Sequence, residues 1–181
     1  MTLERLLAEL NADLDDLAAA HGLAAVRLRY FNAAGYDERV LGLEQDPANR
    51  SPLSWEVQHP VPPATPQTWA DDPRIATMQK TLEQLFDLVP GFEAMHPMSA
   101  TSPEECVAVF TQCFMSVQLQ VQFNVPSYQA WVDDADMSPA YEYHKRFLQH
   151  LQSGGVRGGR WVLKSPAHLN NIATLLEVYP D

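Results

Sequence analysis

Lys164 is followed at once by Ser165-Pro166, with His168 four residues on. The preceding Arg160-Trp-Val-Leu reads as a short strand ending at Lys164, and Ser-Pro reads as a helix cap followed by the first helical residue. A strand that hands over directly to a helix can make an anion site. The first-turn amides lack intrahelical partners, and the helix dipole is positive there. In doubly wound sheets ligands sit beyond the carboxyl ends of the strands. The Lys164 ammonium reaches that place, and His168 falls on the first turn beside it. The same residues also fit a plain capped helix beside a solvated lysine, because Ser-Pro opens helices elsewhere in this chain.

The other reactive residue types form weaker patterns. Tyr141 and Lys145 stand one helical turn apart, a spacing that any amphipathic helix supplies. Cys106 and Cys113 are seven apart on one side of an expected helix and read as buried free thiols. The six histidines are scattered, with no metal-ligand cluster, so no metal is expected.

These residues need elements to hold them. Leu3, Leu6, Leu7, Leu10, Leu14 and Leu17 recur at helical spacing over the first twenty residues, and His21-Gly22 ends that helix. Residues 24–31 read as a strand and "NAAG" as a turn. Prolines from Arg50 to Pro66 indicate an extended loop rather than a helix. Asp72-Pro73, Ser102-Pro103, Ser138-Pro139 and Ser165-Pro166 each predict a helix start, and Ser102 with Glu105 predicts a capping box. The second of these helices is expected to carry Cys106, Val109, Phe110, Cys113, Phe114, Val117 and Val121 on one stripe as far as Pro126. The third runs from Pro139 to about Gln152, and "GGVRGG" follows as a flexible loop or turn. The fourth should turn Leu169, Ile172, Leu175, Leu176 and Tyr179 inward. Long helices separated by short strands predict an α/β architecture with a helix-rich insertion.

Composition bounds the function. The 181 residues include 12 basic and 23 acidic side chains, a net charge of −11, and 46% are hydrophobic. One domain with a sizeable core is expected. The charge argues against a nucleic-acid or anionic-membrane surface, though not against a small basic pocket. No apolar run is long enough to span a bilayer, and the first twenty residues lack the pattern of a signal peptide, so a cytoplasmic protein is expected.

"RWVLKSPAHLNNIATLLEVYPD" resembles the lysine segment of the bacterial sulfotransferases that use 3′-phosphoadenosine 5′-phosphosulfate (PAPS). So do "DPANRSPLSWEVQHPVPP", "DDPRI", "PGFEAMHPMSATSPEEC", "FNVPSYQAWV" and "AYEYHKRFLQHLQ", in the order of that family. The resemblance covers about residues 46–181. It implies an α/β fold, P-loop-like and three-layered, that is incomplete here, helix-rich and with few short parallel strands. It implies sulfuryl transfer from PAPS, as co-substrate, to a hydroxyl or amine of a small-molecule acceptor. Lys164 matches the family lysine that meets charge growing on the sulfonate and bridging oxygen, with Ser165 beside it in the donor site. Glu56 stands where related enzymes place a glutamate base, and His168 is a second candidate base.

Two parts of that family pattern are missing. The glycine- and threonine-rich loop that wraps the 5′-phosphosulfate should precede "DPANR", where this chain has "LRYFNAAGYDERVLGLEQ" with Arg29 and Arg39 out of pattern. The arginine–serine segment that holds the 3′-phosphate should follow Asp181. The chain is therefore expected to be truncated at its C-terminus. Residues 21–49 are similar instead to part of the nucleotide-sugar epimerases related to UDP-glucose 4-epimerase, with Asn32 at the sugar-nucleotide position. Tyr141 and Lys145 also match that superfamily's Tyr-x-x-x-Lys pair. No glycine-rich dinucleotide loop accompanies them.

The expected organisation is an N-terminal segment, 1–45, of epimerase-like or uncertain origin and a sulfotransferase-like domain, 46–181. The expected function is sulfotransferase-type, inactive as given if both phosphate segments are needed. The alternatives are a non-catalytic helical remnant and, more remotely, an NAD-linked epimerase fragment. Phe92, Phe114, Phe123, Tyr128 and Trp131 suit either an apolar acceptor or a plain core. An open sheet edge makes self-association a further expectation.

Overall fold

Two short strands, β1 (Asn49–Arg50) and β2 (Arg160–Trp161), pair in parallel with Asn49 opposite Arg160 and Arg50 opposite Trp161. The computed structural model describes residues 49–156, 158 and 160–180. The helix expected over the first twenty residues, the strand at 24–31 and the epimerase-like stretch with Asn32, Arg29 and Arg39 lie outside the described residues. The Val162 amide donates to the Arg50 carbonyl at 2.8 Å and extends the ladder by one bond. Lys164 therefore lies beyond the strand rather than at its last position. The Arg50 guanidinium stacks over the Trp161 ring at 4.7 Å from its centroid. The glycines before β2 serve close packing. A β-carbon on Gly158 would stand 2.6 Å from Arg50 Cβ, and one on Gly154 would stand 2.0 Å from the Ala64 carbonyl oxygen.

Helices make up most of the rest. In chain order they are α1 (Ser54–Gln58), α2 (Pro73–Leu88), α3 (Phe92–Met95), α4 (Cys106–Thr111), α5 (Val117–Gln122), α6 (Pro126–Asp134), α7 (Ser138–Ser153) and α8 (Ile172–Val178). Two 3₁₀ segments, Trp69–Asp71 and Pro166–Asn171, precede α2 and α8. This is the helix-rich α/β arrangement with few short parallel strands that the family resemblance implied.

The proline caps divide into two groups. Asp72 and Ser165 act as expected: Asp72 accepts from the Arg74 amide at 3.0 Å, and Ser165 Oγ accepts from the Ala167 amide at 3.2 Å. At the third site the cap is Met137, and the side-chain bonds come from the residue before it. Asp136 Oδ1 accepts from the amide and hydroxyl of Ser138, and Ser138 is already helical. Ser102-Pro103 opens no helix. Ser102 Oγ is within 2.8 Å of Ser99 Oγ, Pro103 bridges antiparallel to Leu53, and α4 begins only at Cys106 with Glu105 in the cap position.

Three further expectations are corrected. The stretch from Arg50 to Pro66 contains α1, whose Ser54, Trp55, Glu56 and Val57 are all buried. The apolar stripe from Cys106 to Val121 is two helices. Phe114 turns into the left-handed region at φ 57°, and Ser116 caps the new helix by accepting from the Gln118 amide at 3.2 Å. Tyr128 Oη fixes this corner by accepting from the Ser116 amide at 3.1 Å. As a result Phe114 and Val121 face outward, 71% and 82% exposed. Finally, the last helix starts as a 3₁₀ segment, whose tighter period rotates its side chains. Leu175 and Tyr179 pack inward as expected, while Leu169 and Leu176 remain exposed.

The core that bears on the site lies where α7 packs against α4 and α8. Cys106, Phe110, Ala140, Tyr141 and Val178 close together there. A second cluster joins Trp55 of α1 to Met78 and Leu82 of α2, and a third joins Val57 to Val109, Phe147 and Leu151. Burying such side chains supplies roughly 1.5–3 kcal/mol each.

Candidate functional site

Lys164 is held at both ends. Its carbonyl accepts from the Cys106 amide at 2.8 Å, which ties the segment after β2 to the start of α4. Its ammonium forms an ion pair with Glu105 Oε1. The two side chains are 33% and 21% exposed, so the pair sits at the surface but is not free in it. Ser165 continues the segment as the cap of the 3₁₀ turn. Its hydroxyl and carbonyl accept from the amides of Ala167 and His168, each at 3.2 Å. Those two amides, expected to face an anion, are occupied within the cap.

His168 is in the same turn but points into the core. It is 1% exposed, and its Nδ1 is hydrogen-bonded to Tyr141 Oη at 2.8 Å. The Phe110 ring meets it edge-on at 6.1 Å. His144 is its counterpart, fully buried, with Nδ1 at 2.6 Å from Tyr179 Oη. In both rings Nε2 has no partner among the described residues. Burial pushes the His168 imidazole down to about 4. Burial, then the neighbouring His168, pushes His144 down to about 3. The Cys106 thiol in the same core is pushed up to about 12, chiefly by burial, so it is inert near neutrality.

Glu56 belongs to a different network. It is 2% exposed and forms a buried ion pair with Arg50. It also accepts from Trp69 Nε1 at 3.1 Å and from the Leu53 amide at 3.2 Å. Arg50 donates in addition to the Val156 carbonyl at 3.1 Å. Burial lowers the Arg50 pKa, against the pull of Glu56. Among the described residues no hydrogen bond or ion pair joins Glu56 to Lys164. The structure thus brings Lys164, Ser165 and His168 into one turn, buries His168 and separates Glu56. Among the described residues no group of three or more His, Cys, Asp and Glu is placed to hold a metal ion.

A model of the sulfotransferase family matches residues 2–181. The chain belongs to the sulfotransferase family. Two solved structures agree with this assignment. Sulfotransferase STF9 from Mycobacterium avium is 38% identical, with a TM-score of 0.65, over 76% of this chain and 36% of its own. Sulfotransferase STF1 from Mycobacterium tuberculosis H37Rv is 33% identical, with a TM-score of 0.63, over 75% of this chain and 37% of its own. The chain thus spans little more than a third of the length of these solved relatives. No curated protein matches it at a significant level. The sulfotransferase match extends through residues 21–49, and no comparison supports the epimerase likeness of that stretch.

One residue that meets Lys164 escaped the sequence. Glu105 reads there as the third residue of a capping box. In the structure it occupies the cap position yet makes no side-chain cap bond, and its carboxylate turns to Lys164. The available signal was the pair Glu104-Glu105 ahead of an apolar helix, which a cap explains equally well. Among the described residues no helix is long and apolar enough to cross a membrane.

Proposed function

We propose that this chain serves sulfuryl transfer from PAPS to a hydroxyl or amine of a small molecule, with Lys164 as the cation that meets the transferred group. The observation that carries this reading is the fixation of Lys164. Its backbone is locked to α4, and its ammonium is presented, partly exposed, against a single carboxylate. A positioned cation is what such a reaction chiefly requires, because positioning and charge stabilisation supply most of its catalysis. Ser165 sets the Lys164 backbone through the cap. His168 and Glu56, both buried and bonded, act as frame rather than as groups that touch substrate. The exposed Phe114, Phe123 and Trp131 favour an apolar acceptor. The residues that carry this function lie within 46–181.

Transfer of label from sulfur-labelled PAPS to a panel of apolar alcohols and amines tests this directly. Turnover is expected, with Lys164→Ala lowering it by about 10²–10³. Equal turnover in the two proteins, or none in the parent, defeats the reading. A non-catalytic helical domain is the second reading, favoured by the Ala167 and His168 amides being engaged in the cap. It expects no turnover and no response to adenosine 3′,5′-bisphosphate, the product of PAPS.

A further inference from the structure

The acids and bases around Lys164 differ in how far they are already committed. Glu56 is buried and bonded to Arg50, Trp69 and Leu53. His168 is buried and bonded to Tyr141. Glu104 accepts from the Glu105 amide at 3.1 Å, and burial raises its pKa. Glu105 is different. Its side chain is 21% exposed, it makes no cap bond, and among the described residues its carboxylate is bonded to Lys164 alone. A carboxylate in a cap position ordinarily bonds the second or third amide of its helix. Here that bond is forgone for the ammonium.

We propose that Glu105 is the base that takes the acceptor's proton, held on Lys164 until the sulfuryl donor displaces it. This rests on the reading that Lys164 receives the donor. One ammonium cannot neutralise both a carboxylate and a phosphosulfate, so the incoming anion releases Glu105. Freed of its ion pair, the Glu105 carboxylate is open to accept a proton. The base is therefore activated only when the donor is in place.

The step balances without a further reagent. The acceptor hydroxyl gives its proton to a Glu105 oxygen, and its lone pair forms the new bond to sulfur. The sulfur–oxygen bond to the 5′-phosphate breaks, and its electron pair remains on the phosphate oxygen that Lys164 faces. Glu105 then passes the proton to water. An amine acceptor loses its proton in the same way.

Glu105→Gln and Glu105→Ala test the proposal in the full chain. Glu105→Gln is expected to lower turnover by about 10²–10⁴, the range for a lost general base. It should at the same time tighten binding of adenosine 3′,5′-bisphosphate several-fold, because a competing carboxylate is gone. Added formate should restore part of the turnover of Glu105→Ala, which a merely structural role would not allow. Melting midpoints within a few degrees of the parent confirm that both variants fold. Turnover of Glu105→Gln within a few-fold of the parent overturns the proposal. So does a loss matched by weaker bisphosphate binding and no rescue by formate. A parent that neither binds the bisphosphate nor turns over removes the donor reading and this proposal with it. A parent that does both, with an indifferent Glu105, removes this proposal alone.

Discussion

Two cation–carboxylate pairs in this molecule differ in how firmly they are held. Arg50 and Glu56 are both buried, and each has further partners: the Val156 carbonyl for one, Trp69 and the Leu53 amide for the other. Lys164 and Glu105 are partly exposed, and their charged groups are joined to each other alone among the described residues. A buried pair cannot release one member without leaving the other charge stranded in a low-dielectric surrounding. An exposed pair can, because water takes over at little cost. The first pair therefore holds β1 to α1, and the second is suited to exchange partners with a ligand.

Acid should expose the most costly feature of the frame. His144 and His168 are held neutral by burial, with proton affinities pushed down to about 3 and about 4 from an ordinary 6.5. The unfolded chain therefore takes up these protons first as pH falls below 6.5. The stability is fully present above that pH and is lost progressively toward about 4 and about 3. The faces turned to them carry Tyr141, Tyr179 and Cys106, which supply no negative charge in compensation. A tenfold difference in proton affinity is worth about 1.4 kcal/mol, so each ring withdraws several kcal/mol of stability across that range. Circular dichroism across pH 7 to 3 reads this. His168→Asn should move the acid midpoint lower, and an unmoved midpoint would contradict the assignment.

Removing one member of each ion pair sharpens the contrast. Glu56→Ala strands a buried guanidinium and should cost about 3–5 kcal/mol by urea unfolding. Asp72→Ala removes a cap that also binds Arg74 and should cost about 1–2 kcal/mol. Glu105→Gln should cost about 0–1 kcal/mol. If Glu105→Gln proved as destabilising as Glu56→Ala, the division between a fixed and an exchangeable pair would collapse.

The difference also explains what the sequence could reveal. Caps followed by proline were legible at Asp72 and Ser165 because their hydrogen bonds are local. Lys164 was expected at the end of the strand, which instead stops at Trp161, and its carbonyl is tied to the distant Cys106 amide. The family resemblance named Glu56 as a candidate base, but its burial depends on Arg50 and Trp69, and nothing local announces that. The stripe from Cys106 to Val121 looked continuous because periodicity records apolar faces, while the break is made by Ser116 and by Tyr128 from another helix. Glu105 was hidden by distance. Its partner lies 59 residues away and meets it only because the Lys164 carbonyl docks on the Cys106 amide.

Thermal unfolding with and without adenosine 3′,5′-bisphosphate, run on the parent and on Lys164→Ala, tests the donor site most directly. A ligand that binds only the native state at a hundred times its dissociation constant stabilises by about 2.7 kcal/mol. A clear rise in the parent's melting temperature, absent in Lys164→Ala, is the predicted result. No rise in the parent, or an equal rise in both proteins, would contradict the assignment of Lys164 to the donor site.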